Sequence, residues 1–147
     1  MSNPSKAKGT AAETETLRAA IRAGLTGDRA PLKGAQDQGD LWLSGQRVVV
    51  EVKAGDQAAN PSLRQLQEWM MEAVSEATRV AACDIAVLVV KRKGSARAEH
   101  WTAYLWATDY LYLQCRSVLL SREIRWPDQR VSLPWGQLCE LLVLAGY

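Results

Sequence analysis

The sequence predicts an α/β fold in which helices flank a central mixed β-sheet that contains an antiparallel hairpin. Two apolar runs, 41–43 and 48–52, flank a short polar segment with Gly45, which is typical of a β-hairpin. Within 84–90, the residues after Asp84 are continuously apolar, as in a strand that is buried on both faces. A helical pattern over 60–80 lies between them, and this strand–helix–strand order predicts a right-handed crossover to a parallel neighbour.

The hairpin brings charged residues together if its loop is Gly45 and Gln46. A glycine at the first loop position suits a type II′ turn, and in that register Asp40 lies directly opposite Glu51. Lys53 shares the face of Glu51, because side chains alternate along a strand. Opposed like charges destabilise a sheet, so a divalent cation between the carboxylates would explain them. The alternative is that Glu51 and Lys53 form the solvated face of a half-buried sheet.

The first helix is expected from about residue 11 to residue 22, after a possible capping box of Thr10 and Glu13. Glu13 has two interpretations. It could cap the helix, or it could face inward with Leu17 and Ile21, which follow it by one and two turns. In the second case Glu13 points towards the hairpin site as a third acid.

The other elements follow from local sequence signals. Residues 28–38 are polar and turn-rich and predict a short strand and a loop, from which Arg29 and Lys33 could contact DNA phosphates. The rest of the chain predicts, in order, a strand over 101–106, a helix capped by Thr108 and Asp109, an edge strand over 124–132, and a last helix from 133 to about 145.

Composition predicts one soluble domain. The chain has 147 residues, of which 48% are hydrophobic and 23% are charged, so we expect a flexible tail over 1–8 and a single domain over 9–147. It has neither a membrane-spanning apolar run nor a secretory signal, which indicates a cytoplasmic protein without a membrane partner. The three cysteines are widely spaced in apolar surroundings and predict buried thiols rather than disulfides or a zinc site.

Local charge is more informative than the net charge of +2. A glycine-containing loop after the 84–90 strand carries four cations, as contacts with a phosphate backbone require: Lys91, Arg92, Lys93 and Arg97. The alternative is an ordinary solvated loop.

Four segments, taken in order and spacing, resemble the PD-(D/E)xK nuclease superfamily, and most closely its Holliday junction resolvases of the archaeal and bacteriophage type: 9–13, 39–40, 51–53 and 89–94. The resemblance covers roughly residues 6 to 108. It implies a restriction-endonuclease-like core over 9–108, followed by a C-terminal helical extension over 109–147. The family's proline before the aspartate is replaced by Gly39, as is usual in the phage-like versions.

The resemblance assigns the catalytic roles to four residues: Glu13, Asp40, Glu51 and Lys53. It implies Mg²⁺, for which Mn²⁺ would substitute, with these ligands: Asp40, Glu51, the carbonyl of Val52, and Glu13. The metal would polarise the scissile phosphate and lower the pKa of a bound water. Lys53 would orient that water or stabilise charge in the transition state. Gln65 or Gln67, on the following helix, would help position the site or would face solvent.

The implied function is resolution of four-way junctions in branched DNA by a homodimer, in which each subunit nicks one strand and leaves a 5′-phosphate. Two alternatives stay open. The same fold could support a restriction-like enzyme or an exonuclease, because substrate choice lies in surfaces that the motif does not encode. The protein could also be a DNA-junction-binding module without turnover. His100 is the only histidine, which disfavours histidine-based metal sites and catalytic triads.

Overall fold

A six-stranded mixed sheet with helices on both faces forms the part of the chain that the computed structural model describes. The described residues are 4–31, 38–114 and 130–147, with side chains from residue 7 onward. The helices and strands are α1 Pro4–Arg22, β1 Gly27–Arg29, β2 Leu41–Leu43, β3 Val48–Lys53, α2 Leu63–Ala77, β4 Ile85–Val90, β5 Thr102–Trp106, α3 Ala107–Gln114, β6 Arg130–Pro134 and α4 Trp135–Leu144. Short 3₁₀ turns span Gln57–Ala59 and Ala98–His100.

The strands lie in the order β1-β2-β3-β4-β5-β6. Only the β3–β4 pair of this sheet is parallel, and α2 makes the connection between its two strands, as the sequence predicts. All six residues of β4 are buried, which confirms the prediction of a strand covered on both faces.

The predicted register of the hairpin is confirmed, but its turn type is not. Leu41 pairs with Val50, and Leu43 pairs with Val48. The two loop residues, Gly45 and Gln46, have φ angles of 67° and 70°. Positive φ at both positions belongs to a type I′ turn, whereas type II′ requires it only at the first. The type II′ prediction is therefore wrong.

Each face of the sheet has its own apolar core. On one face Val50, Val87 and Leu105 pack with α1 and α4. On the other face Leu88 packs against Met70 of α2, and Val49 packs near Ala77 of the same helix. Because side chains alternate along a strand, Glu51 and Lys53 of β3 point to the side of α2. The polar residues of the hairpin therefore lie between the sheet and this helix.

Helix α1 begins earlier than the sequence predicts. It starts at Pro4, so Thr10 is an interior residue rather than an N-cap, and residues 4–8 are helical rather than part of a flexible tail. Its buried side is formed by small residues that allow close approach to the sheet, namely Ala12, Thr16, Ala19 and Ala20. The expected inward residue Ile21 is 51% exposed, because the buried stripe is rotated towards these small side chains.

The C-terminal region completes the sheet and the core rather than forming a purely helical extension. β6 is the edge strand next to β5, and the 124–129 portion of the predicted strand lies outside the described residues. Trp135, Leu138 and Leu142 of α4 are fully buried in the core that α1 also covers. Helix α3 starts at Ala107, so Thr108 and Asp109 lie in its first turn instead of capping it.

Within residues 4–31, 38–114 and 130–147, no helix combines the length and apolar character needed to cross a membrane.

Candidate functional site

The charged end of β3 is the centre of the candidate site. Glu51 is only 7% exposed although it carries a carboxylate. The ammonium of Lys53 donates a hydrogen bond to Oε1 of Glu51 at 2.7 Å and lies 2.8 Å from Oε2 of Glu72 on α2. The predicted pair of Glu51 and Lys53 therefore does share one face, and it faces helix α2 rather than open solvent.

Two glutamates that the sequence analysis missed complete this cluster. Carboxylate oxygens of Glu51, Glu72 and Glu76 all lie within 4.8 Å of one another. Glu76 is 5% exposed, and its charge is one of the causes that raise the pKa of Glu51. The available signal was the position of Glu76 within the apolar stripe of α2, between the buried residues Ala73 and Ala77. A charged residue on the inward side of a helix indicates a buried polar partner.

Asp40 immediately precedes β2 and is held in place by hydrogen bonds to the neighbouring backbone. Its N–H donates to the carbonyl of Val50 at 3.0 Å, and its own carbonyl accepts from the N–H of Ala30 at 2.8 Å. Oδ2 of Asp40 accepts a hydrogen bond from the N–H of Val52 at 2.7 Å. The ladder ends at Leu41, so Asp40 binds the β3 backbone instead of forming the expected cross-strand pair with Glu51.

Gly39 makes this position of Asp40 possible. Its φ angle is +84°, which L side chains rarely adopt, and a β-carbon there would lie 2.6 Å from Cγ1 of Val49. The backbone therefore approaches β3 more closely than any other residue would permit.

The carbonyl of Val52 lies on the same side of β3 as the carboxylate of Asp40. The N–H of Val52 points to Asp40, and the N–H and C=O of one strand residue point in the same direction. The main-chain oxygen of Val52, which is expected to be a metal ligand, therefore faces the edge of β3 on which Asp40 lies.

Glu13 reaches the edge of this site, but with a partner of its own. Its negative charge contributes to the raised pKa of Asp40. Its Oε2 also forms an ion pair with the guanidinium of Arg29 on β1. Arg29, which we expected to contact DNA phosphates, is therefore paired with Glu13 in this structure.

Burial sets the protonation of the carboxyl groups. The pKa of Asp40 is raised to about 7, mainly by burial and also by the charges of Glu51 and Glu13, against the opposing effects of the Val52 N–H and Lys53. Burial also raises the pKa of Glu51, against the opposing effect of Lys53. Burial lowers the pKa of Lys53, but Glu51 and Glu72 outweigh this and raise it overall.

This group has more negative than positive charge. Glu51 and Glu72 contact the ammonium of Lys53, and carboxylate oxygens of Glu51, Glu72 and Glu76 lie within 4.8 Å of one another. Asp40 adds a fourth carboxyl group on the adjacent β3 backbone. Buried charge of one sign is costly unless it is neutralised, so the site must take up protons or a cation. Its donors are oxygens only, and hard divalent cations such as Mg²⁺ and Mn²⁺ prefer oxygen ligands. The residues present therefore fit a site for such a metal.

The cationic loop adjoins the carboxylate cluster. The N–H of Lys91 donates to the carbonyl of Lys53 at 2.9 Å, so the loop begins beside the end of β3. The ammonium of Lys91 lies 5.2 Å from the centre of the Trp101 ring, and the indole N–H of Trp101 donates to the carbonyl of Ser95 at 3.0 Å. The loop is thus attached to a buried tryptophan while its cations stay at the surface.

The remaining predicted cations differ in their surroundings. Arg92 and Lys93 are exposed, and Arg97 lies 3.9 Å from a carboxylate oxygen of Glu99. Lys33 lies outside the described residues. Three of the four loop cations are therefore exposed, on a loop that begins beside Lys53, and Lys91 is partly buried.

The two auxiliary glutamines separate on α2. Gln65 is partly buried and precedes Glu72 by seven residues, which places both on one side of the helix. Gln67 is exposed, and two residues of offset turn it about 200° away from Gln65. The structure thus brings Gln65, but not Gln67, to the side of the helix that carries the site.

The thiols are not part of this site. Cys83 and Cys139 are free, and burial raises the pKa of both, while Cys115 lies outside the described residues. Protonated, buried thiols are poor nucleophiles and poor metal ligands.

Comparison with family models, curated proteins and solved structures gives no match to this chain.

Proposed function

We propose that this protein is a Mg²⁺-dependent, structure-specific DNA endonuclease of the PD-(D/E)xK superfamily that resolves four-way junctions as a cytoplasmic homodimer. The observation that carries the proposal is the convergence of Asp40, Glu51 and Lys53 at one end of β3, beside the cationic loop. Buried oxygen donors next to a lysine and a basic surface suit hydrolysis of a phosphodiester.

The order of the elements supports a restriction-endonuclease-like core. An N-terminal helix precedes an antiparallel hairpin, and the second hairpin strand, β3, continues through α2 to the parallel strand β4. Asp40 and Glu51 lie at the hairpin positions where that superfamily carries its acids, and Lys53 lies where it carries its lysine.

Each residue of the site has a distinct role in this proposal. Mg²⁺ held by Asp40, Glu51 and the Val52 carbonyl would supply a Lewis acid and a bound water of lowered pKa, and Mn²⁺ would substitute. The N–H of Val52 fixes the orientation of the Asp40 carboxylate. Lys53 orients the attacking water and offsets the charge that develops on the phosphate. Glu13, next to Asp40, completes the acid set, and Arg29 holds its carboxylate.

DNA would approach from the end of the sheet that carries Lys53. Arg92, Lys93 and Arg97 lie at the surface there and offer positive charge to the phosphate backbone. Lys91 contributes its charge from the partly buried start of the loop. Cleavage would leave a 5′-phosphate on each nicked strand.

The test is Mg²⁺-dependent cleavage of a synthetic four-way junction and of a linear duplex with the same sequence. We expect paired, symmetric nicks in the junction only, and we expect Asp40→Asn to abolish them. Asp84→Asn is the matched control. Asp84 lies immediately before the start of β4, at the opposite end of this strand from Val90, which pairs with Lys53. The Asp84→Asn variant should cleave at the wild-type rate.

Other outcomes would redirect the proposal. Cleavage of both substrates would contradict junction specificity and indicate a broader nuclease. Tight junction binding by the wild type and by Asp40→Asn, without cleavage in Mg²⁺ or Mn²⁺, would favour a binding module. A monomer at working concentration, measured by sedimentation, would contradict the paired-nick mechanism.

A further inference from the structure

Lys53 has two carboxylate partners from different elements. Glu51 lies two residues before it on β3, and Glu72 reaches it from α2, with nitrogen–oxygen distances of 2.7 Å and 2.8 Å. In the proposed mechanism Glu51 must also bind the metal. The carboxylate of Glu51 then interacts with two cations, which weakens its attraction for each, and the other partner of Lys53 becomes important.

We propose that Glu72 is a positioning residue that holds the ammonium of Lys53 in place when Mg²⁺ binds Glu51. This inference rests on the proposed function. A lysine whose only partner turned to the metal would lose its fixed geometry, and long side chains regain considerable rotamer freedom when they are released. Glu72 supplies a second contact that the metal does not require.

The packing of α2 suits Glu72 for this role. The helix is fixed on the sheet by its buried stripe, which consists of Leu66, Met70, Ala73 and Ala77. The side chain of Glu72 is 47% exposed, so its ionised form costs little, whereas Glu51 and Glu76 are buried. Because α2 is fixed on the sheet, the charged side chain of Glu72 can hold Lys53 in place when Glu51 binds the metal.

Glu76 has a position relative to Glu51 that corresponds to that of Glu72 relative to Lys53. Its carboxyl group approaches that of Glu51 from the helix side, with one oxygen of each within 4.8 Å of the other. Glu72 contacts Lys53, and Glu76 adjoins Glu51, so α2 places a carboxyl group beside each motif residue of β3. Groups that orient reacting residues commonly affect rate more than binding.

The first experiment compares Glu72→Gln with the matched control Glu68→Gln in single-turnover cleavage of the junction. Glu68 lies one turn earlier on α2 and pairs only locally with Arg64, at 2.9 Å. We expect Glu72→Gln to slow cleavage by roughly 10–100-fold, with unchanged DNA affinity and unchanged Mg²⁺ concentration for half-maximal rate. Glu68→Gln should match the wild type.

The competing role for Glu72 is that of a metal ligand. In that case Glu72→Gln would weaken Mg²⁺ binding in calorimetry and shift the Mg²⁺ dependence of cleavage, and the positioning role would be overturned. Wild-type rates in Glu72→Gln would overturn it as well.

A second experiment does not depend on cleavage. A double-mutant cycle of Glu72→Gln and Lys53→Met, followed by urea unfolding, measures the coupling between the two side chains. We expect this coupling to increase when Mg²⁺ is added, because Glu51 is then occupied by the metal. The same cycle with Glu68→Gln should show no coupling.

The two experiments separate the two proposals. No coupling between Glu72 and Lys53, with or without Mg²⁺, would overturn the inference whether or not the protein cleaves DNA. Mg²⁺-dependent coupling in a protein that cleaves no DNA would support the placement of Lys53 by Glu72 and would contradict the proposed nuclease activity.

Discussion

The two ends of the β3–β4 pair carry polar clusters with different charge balance. At the start of the pair, Nε of Arg47 lies 3.0 Å from Oδ2 of Asp84, and the guanidinium of Arg47 lies 4.2 Å above the ring of Tyr147. The hydroxyl of Tyr147 donates to the same aspartate at 3.4 Å. One cation thus meets one anion. At the other end, Glu51 and Glu72 contact the ammonium of Lys53, and Glu76 and Asp40 add two further carboxyl groups to the cluster.

This difference distinguishes a structural cluster from a candidate functional one. The pair of Arg47 and Asp84 needs no further ion and is partly open to solvent. The cluster at Lys53 is more deeply buried and holds excess negative charge, which lowers stability unless a proton or cation is bound. A protein retains such an arrangement mainly where the unbalanced charge is used, so function is expected at the Lys53 end.

The largest expected effect is that of Glu51→Gln on activity. The change removes a charged ligand of the proposed metal while it preserves the shape of the side chain. We expect single-turnover cleavage of the junction to fall by roughly 10²–10³-fold. Calorimetry should show a matching loss of Mg²⁺ binding. Wild-type activity in this variant would remove the functional distinction between the two ends.

The second expected effect is on the pH dependence of stability without metal. The folded-state pKa of Asp40 is about 7, above its ordinary value of 3.8, so the folded state binds more protons than the unfolded state between these values. The contribution of Asp40 to the free energy of unfolding is therefore fully present below pH 4 and is lost as the pH rises through about 7. Its size is roughly 2–4 kcal/mol.

Urea unfolding of the wild type and of Asp40→Asn between pH 5 and pH 8, in chelator, measures this contribution. We expect Asp40→Asn to gain stability relative to the wild type as the pH rises, because it cannot ionise. Asp84→Asn should show no such gain, since Asp84 has a cationic partner. A constant difference between Asp40→Asn and the wild type across this range would contradict the assignment.

The third expected effect concerns the loop beside Lys53. Neutralising all four of its cations should weaken DNA binding and make the salt dependence less steep, by about 0.9 in log–log slope per lost phosphate contact. Fluorescence anisotropy at several salt concentrations measures this slope. Replacing the exposed Arg18 and Arg64, which lie on α1 and α2, tests whether net charge alone accounts for the effect. An equal change in slope would contradict a localised DNA surface.

The smallest expected effect is that of Asp84→Asn on stability at neutral pH. The substitution removes the charge of a partly exposed pair, which should lower the free energy of unfolding by roughly 0.5–1.5 kcal/mol. Cleavage should not change. A gain in stability from Asp84→Asn, as expected for Asp40→Asn at pH 8, would show that the two ends do not differ in charge balance.

Local sequence determined the register of the hairpin and the face that Glu51 and Lys53 share. The apolar runs on either side of Gly45 permit one pairing that buries Leu41, Leu43, Val48 and Val50 together. A slip by one residue would expose them, so the pattern itself selects the register. The buried strand β4 and the helix α2 were equally predictable, because the signals for each lie in neighbouring residues.

The tertiary structure alone decided which groups complete the site. Glu72 and Glu76 follow Lys53 by about twenty residues, and they reach it only because α2 packs with Met70 and Ala73 against the sheet. The rotation of a helix about its axis depends on how its side chains pack against the neighbouring element. Hydrophobic periodicity predicts only a broad stripe of inward positions and does not determine this rotation. The same reason explains why Ile21 is exposed and why Glu13 meets Arg29. Sequence thus specified the acids and lysine of the hairpin, and packing supplied their partners.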